Sequence, residues 1–287
     1  MHTDSRKRRA SLLFAFVAVA ALGCVSMPSS AQTYGSCAIT GKKGSMPLKP
    51  AIPGQLTVEV SLPAPGWWNG DTPESMKDGY EYCMAANIAW RAGLDKVAVR
   101  NVSWDALIAG QTKDYDLALS EASITPERAK VVDFSTPYFD SDIGALVKSS
   151  NQVTASNIRT MRIGVHQGTT GADFASNVLK PSQPVKVFPD TSGMFTALAA
   201  NQIDVVLTDT AYSLGQAANS HGTMKVVGQY TTGEKYGAIY PKGSANAADL
   251  NHIIKAMADD GTLKMLTQKY LAAAWGQDPT QIPYFKP

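Results

Sequence analysis

The sequence predicts an α/β protein of two lobes, each built on a mostly parallel sheet covered by helices. Three observations point to it. From Gln55 onward, strand-like and helix-like segments alternate, the pattern that parallel strands joined by helical crossovers require. The stretch "DALIAGQTKDYDLALSEA" in the first half is echoed by "TALAANQIDVVLTDTA" in the second. In both copies polar residues follow the strand, and open α/β sheets hold their ligands outside the carboxyl ends of strands.

Taken in order, "QLTVEVSL" alternates and is rich in β-branched residues, so it reads as the first strand. "GYEYCMAANIAWRAGL" has the spacing of an amphipathic helix stopped by Gly93, and "KVAVRNV" is the next strand. "SWDALIAGQ" is a helix capped by Ser103 that leads into the strand "YDLALS". In the second half, strand "RIGVHQ" opens into the loop and helix "GTTGADFASNVL". "KVFPD" precedes the helix "TSGMFTALAANQ", which feeds the strand "DVVLTD". "YGAIYP" is a late strand, and residues 246–275 give two terminal helices broken at Gly261. Asp116 and Asp204 stand at equivalent strand entries in the echoed copies.

The N-terminus lies outside this pattern. "SRKRRA", a 12-residue apolar core over 12–23 and "SSAQ" form the basic, apolar and small-residue regions of a secretory signal peptide cleaved after Ala31. Its apolar core is too short to span a bilayer. Arg8-Arg9 reads as an ordinary basic region. Cys24 resembles a lipid-attachment site, but Ala21 stands where Leu is expected, so lipid anchoring ranks below soluble export to the periplasm.

Without residues 1–31 the chain keeps 22 of its 26 basic and 23 of its 24 acidic residues, a formal charge of −1. The basic balance of the whole chain therefore belongs to the export signal. No basic stripe of the kind phosphate binding needs is present, so nucleic acid is not an expected partner. Cys37, in a Gly/Lys/Pro-rich leader (32–53), and Cys83 remain in a disulfide-permissive compartment. They are either bridged, pinning the leader to the first lobe, or free; the bridge is the expectation.

The candidate chemistry gathers at strand ends. In "SITPERAKVVDFSTPYF" (123–139), Thr125 suits a helix N-cap and Pro126 the first helical position. Arg128, a cation near a helix start, is electrostatically out of place. Alone it reads as a surface arginine paired with an acid. Gly168-Thr169-Thr170-Gly171 after "RIGVHQ" offers free N–H groups and hydroxyls for an anion, or a plain capped turn. Asp209 follows the "DVVLTD" strand, as an N-cap or as an acid facing a ligand. Together they match a free α-amino acid: Arg128, Ser123 and Thr170 for its carboxylate, Asp209 for its ammonium.

"SITPERAKVVDFSTPYF", with "WDALIAG", "GVHQGTTG", "IDVVLTD", "YGAIYPKG" and "DGTLKMLTQKY" in that order, resembles the family 3 periplasmic solute-binding proteins, the amino-acid-binding subunits of ABC importers. The likeness runs from about Gln55 to Trp275. It implies the two-lobed type II periplasmic-binding-protein fold, with crossovers near 145–148 and 236–240. The lobes would be divided as 54–147 (first lobe), 148–236 (second lobe) and 237–287 (return to the first lobe with the C-terminal helices). It further implies that Arg128 grips the ligand carboxylate with Ser123, Thr169 and Thr170, that Asp209 takes the ammonium, and that Trp104 and Trp68 wall the ligand side chain. The implied partners are an amino acid or derivative and an ABC permease; a monomer without metal or cofactor is expected.

Three residues depart from the family pattern. Ser61 stands where cation-binding members carry an Asp. Cys83 replaces a common acid. Glu121 replaces a small or hydroxyl residue beside the carboxylate site. It either selects a ligand with an additional amine or guanidinium, or pairs internally with Arg128 or another base. The competing readings are a dehydratase-like periplasmic enzyme with Glu121 as general acid, and a sensor subunit without transport. No G-x-S-x-G or H-E-x-x-H motif occurs, and His166, His221 and His252 are dispersed.

Overall fold

The computed structural model describes Met1 and residues 34–287. The expected export signal, its cleavage point after Ala31 and Cys24 lie outside the described residues.

The alternation becomes two five-stranded sheets. The first contains β1 (Gln55–Val60), β2 (Lys96–Asn101), β3 (Leu117–Ala118), β4 (Asp133–Phe134) and β10 (Ile239–Tyr240), in the order β2-β1-β3-β10-β4. The second contains β5 (Phe139–Lys148), β6 (Ile163–His166), β7 (Lys186–Phe188), β8 (Val205–Asp209) and β9 (Met224–Tyr236), in the order β7-β6-β8-β5-β9. In each sheet three parallel strands are followed by one antiparallel strand, β10 or β5. The sequence echo is therefore a topological one. Asp116 accepts from the backbone N–H of Thr57 in β1, and Asp204 accepts from that of Arg162 before β6, at 2.7 and 2.9 Å. Each acid ties the entry of its own strand to its parallel neighbour.

Helices cover both sheets. They are α1 (Tyr80–Ala92), α2 (Trp104–Ile108), α3 (Thr170–Asp173), α4 (Thr191–Ala199), α5 (Thr210–Asn219), α6 (Ala247–Asp259), α7 (Thr262–Leu266) and α8 (Ala273–Trp275). Gly93 ends α1 at φ 80°, donating to Ala89 and Trp90; only glycine takes that left-handed turn without steric cost. The spacing of α1 predicts one apolar face, yet 12 of its 13 residues are buried. Its outer side is covered by α6 and α7 and by the leader. Cys37 and Cys83 are joined, with Cα atoms 5.3 Å apart. Asn87 bonds Thr40 and Ala38, so its burial is matched by hydrogen bonds.

Two boundaries differ from the expected ones. Residues 145–148 lie inside β5, where Ala145 to Val147 pair with β8 and β9. The first change of sheet thus falls between β4 and β5, at 135–138. The apolar run Ile143–Val147 belongs to β5, which is paired on both edges by β8 and β9, so the change of sheet falls in the polar, proline-containing stretch before it. The return passes through 237–238, between β9 and β10. The C-terminal tail also departs from the expected return to the first lobe. After the terminal helices it docks on the second sheet, where Gln229 donates to Pro283 and accepts from Phe285. Gly228 makes room for the Phe285 ring, which a Cβ there would meet at 2.2 Å. Tyr284 bonds Asp142.

Trp67, fully buried, packs edge-on against Tyr80, Phe139 and Tyr236 at 5.0–5.6 Å. Two of these rings, Phe139 and Tyr236, sit at the ends of β5 and β9 that adjoin the crossovers at 135–138 and 237–238.

Candidate functional site

The strand ends from both sheets meet in one cleft. Ser61 follows β1, Ser120 and Glu121 follow β3, His166 ends β6 and Asp209 ends β8. These residues, with Trp104, Ser123, Arg128, Thr169, Thr170, Thr191, Thr208 and Tyr212, line a cavity of about 50 Å³. The lobes are held together around it. Tyr212 donates to the carbonyl of Pro63, Gln167 to Asp105, and Arg128 to the carbonyl of Gly168, at 2.8, 2.9 and 3.0 Å.

Arg128 is positioned by its own turn. Thr125 accepts from the Arg128 backbone N–H, but the element is a single 3₁₀ turn over Arg128–Lys130 whose N-cap is Glu127, so Thr125 and Pro126 lie before it rather than starting it. The guanidinium is buried and lies 5.0 Å over the Trp104 ring, a cation–π contact. Nη1 donates to the carbonyl of Ser123 and Nη2 to that of Gly168, at 2.7 and 3.0 Å. Two of the five N–H groups thus fix the fork, and the other three have no hydrogen-bond partner among the described residues. Burial lowers the Arg128 pKa, against the pull of Asp209, Glu234 and Asp173.

Glu121 has φ 47°, unusual for a residue with a Cβ. Glu81, fully buried in α1, explains it. Its Oε1 accepts from the Glu121 backbone N–H at 2.9 Å and from the Tyr138 hydroxyl, and its Oε2 accepts from the Trp68 indole at 2.8 Å. The Glu121 carboxyl is turned to the cavity, and its buried Oε1 has no partner. No base pairs with it among the described residues. Burial raises its pKa well above the usual carboxylate range, and the neighbouring Glu81 and Asp209 add to the rise.

Asp209 stands at the N-cap position of α5 without capping it, and its buried Oδ1 has no partner. Burial, then Glu234, pushes its pKa up to about 7. Thr169 is the N-cap of α3, accepting from Ala172 and donating to the carbonyl of His166. Thr170, the first helical residue, donates to Glu234 at 2.8 Å, and Ser123 donates to the same carboxylate at 2.6 Å. His166 is tilted against Trp104 at 6.2 Å; burial lowers its pKa.

The cavity therefore brings together Trp104, Glu121, Ser123, Arg128, Thr169, Thr170 and Asp209. Trp68 is elsewhere, 1% exposed, packed on Tyr82 and bonded to Glu81. Sequence reasoning missed Glu81, Tyr212 and Glu234. An acid in the first turn of a largely apolar helix is the available signal for Glu81, and an acid just before the return crossover is the signal for Glu234.

The model of the bacterial extracellular solute-binding proteins, family 3, matches residues 70–273. The L-cystine-binding protein TcyJ of Escherichia coli is 28% identical over 200 residues, covering 68% of this chain and 74% of its own length. The arginine-, lysine-, histidine-binding protein ArtJ from Geobacillus stearothermophilus superposes with a TM-score of 0.67 at 26% identity, covering 78% of this chain and 96% of that one. An ancestral amino-acid-binding protein described as a precursor of cyclohexadienyl dehydratase superposes with a TM-score of 0.65 at 27% identity, over 76% of this chain and 95% of that one. The fold is the two-lobed type II fold of periplasmic binding proteins, and the chain belongs to the bacterial extracellular solute-binding proteins, family 3.

Proposed function

We propose that this protein is exported, captures an amino acid bearing a second cationic group by closing its lobes, and delivers it to an ABC permease. The observation that carries this reading is the pair of buried, unpartnered carboxyl oxygens, on Glu121 and Asp209, in one cavity with the fork of Arg128. A buried acceptor without a donor is costly, and a ligand ammonium or guanidinium supplies that donor. The three remaining N–H groups of Arg128 take the ligand carboxylate, with the Ser123 and Thr170 hydroxyls beside them. Asp209 takes the α-ammonium, Glu121 the second cation, and Trp104 packs the aliphatic part between them. Thr169 acts through its cap, holding the start of α3 in place. Trp68 has no ligand role in this scheme, because Glu81 already accepts its indole N–H.

The named ligands of ArtJ and TcyJ support the same chemical class, since arginine, lysine and cystine each carry a carboxylate and two cationic nitrogens. The protein works as a monomer and transforms nothing. A thermal-shift panel tests this: L-arginine, L-lysine and L-cystine should raise Tm, since a ligand that binds only the folded state stabilises it. Stabilisation by L-glutamate or L-leucine but by none of the three overturns the ligand class. A dehydratase-like activity is the second reading, favoured by a buried, unpartnered Glu121 carboxyl whose pKa burial raises well above the usual carboxylate range. It predicts turnover of a cyclic dienyl carboxylate, which disappears in Glu121→Gln.

A further inference from the structure

The hydroxyls assigned to a ligand carboxylate already hold one supplied by the protein. Ser123 Oγ on the first lobe and Thr170 Oγ1 on the second donate to the same Oε2 of Glu234, at 2.6 and 2.8 Å. The other oxygen, Oε1, accepts from Thr232 at 3.2 Å. Glu234 lies on β9 just before that strand leaves the second sheet. There the pairing with β5 shifts register between Ser141 and Ile143, an irregularity that re-aims side chains. The neighbouring Lys235 is paired with Asp140, and no cation forms an ion pair with Glu234 among the described residues. Glu234 also borders a second, larger cavity of about 530 Å³ behind the hinge strands, beside Phe139, Gln229 and Tyr284.

We propose that Glu234 is an internal competitor for the carboxylate subsite and a latch between the lobes. A ligand carboxylate reaches Ser123 and Thr170 only when Glu234 swings out toward the cavity behind the hinge. The proposal rests on the reading of Arg128, Ser123 and Thr170 as that subsite. Two charge-assisted hydrogen bonds to one oxygen, one from each lobe, favour a closed arrangement that excludes the ligand carboxylate. Apparent affinity for carboxylate ligands then falls by the fraction of molecules so latched. Amines lacking a carboxylate bind with Glu234 in place and escape this competition. Glu234 thereby sets both the affinity for amino acids and their margin over the corresponding decarboxylated amines.

The test uses two matched pairs of probes, L-arginine with agmatine and L-lysine with cadaverine. Each is titrated calorimetrically into the wild type, Glu234→Ala and Glu234→Gln, and the radius of gyration of each protein without probe is measured by X-ray scattering. Glu234→Ala should bind the amino acids about tenfold tighter, the scale of one charged hydrogen bond, while the amines gain nothing. Glu234→Gln should move in the same direction by less. Without probe, Glu234→Ala should be more expanded than the wild type. Equal or weaker amino-acid binding by both variants, or an unchanged radius of gyration, overturns the latch. If no probe binds any of the three proteins, the functional reading fails separately, and the radius of gyration still decides whether Glu234 joins the lobes.

Discussion

The backbone N–H of Glu121 donates to Oε1 of Glu81, 2.9 Å away, so an acid in the first turn of α1 holds the left-handed turn that aims a second acid into the cleft. The same Glu81 carboxylate anchors Trp68 and Tyr138. Removing it leaves three buried donors without an acceptor, each costing about 1–3 kcal/mol. Glu81→Ala should therefore lose about 3 kcal/mol or more, a fall in Tm on the order of 10 °C for a chain of this size. Chemical denaturation measures it. A change within about 0.5 kcal/mol, as for an ordinary surface substitution, would show that Glu81 is not the organiser of this turn.

Stability should depend on pH with a definite sign. Burial, the largest cause at both sites, pushes Glu81 and Asp209 up to about 7 in the folded protein, against about 4 in the unfolded chain. The folded state then binds more protons between these values. Their contribution is full below about pH 4 and is lost as pH rises through about 7. Tm of the protein without ligand should decline over that window, and Asp209→Asn should flatten the decline. A cationic ligand needs Asp209 ionised, so its affinity should rise over the same range, with proton release visible as a buffer-dependent heat.

Arg128→Ala should fold and fail to bind. Its guanidinium contacts Trp104 and two main-chain carbonyls and forms no direct ion pair, so the truncation breaks no salt bridge, although Asp209, Glu234 and Asp173 lose a nearby cation. Losing a buried charged contact to a ligand carboxylate costs about 2–5 kcal/mol, roughly thirtyfold or more in Kd. Titration of L-arginine into the variant measures the loss; full affinity would remove Arg128 from the site.

Glu121→Gln separates selectivity from binding. Affinity for L-arginine and L-lysine should drop about tenfold or more as the charge partner is lost, while L-glutamine binding holds or improves. An identical profile across the three amino acids would leave Glu121 without a role in ligand choice.

Much of this architecture is legible along the chain. The alternation of strand and helix, the stop at Gly93, and the caps at Ser103 and Thr169 are near-neighbour effects, set by backbone sterics and by side chains within a turn of the groups they bond. The echoed Asp116 and Asp204 mark strand entries because each bonds the backbone of the strand beside it. Arg128, Thr170 and Asp209 follow from the same logic, since the ends of parallel strands must share one edge of a sheet. Tertiary structure alone decided the rest. Glu81 and Glu121 are 40 residues apart, and Ser123 and Glu234 are 111 apart. Pairings at such separations depend on which way a side chain turns once two sheets are packed, and no local pattern encodes that. Trp68 turned inward because Glu81 offered a buried acceptor. The first crossover moved to 135–138, and the tail crossed back to Gln229, because strand pairing is settled by partners far along the chain rather than by the apolar pattern of the strand itself.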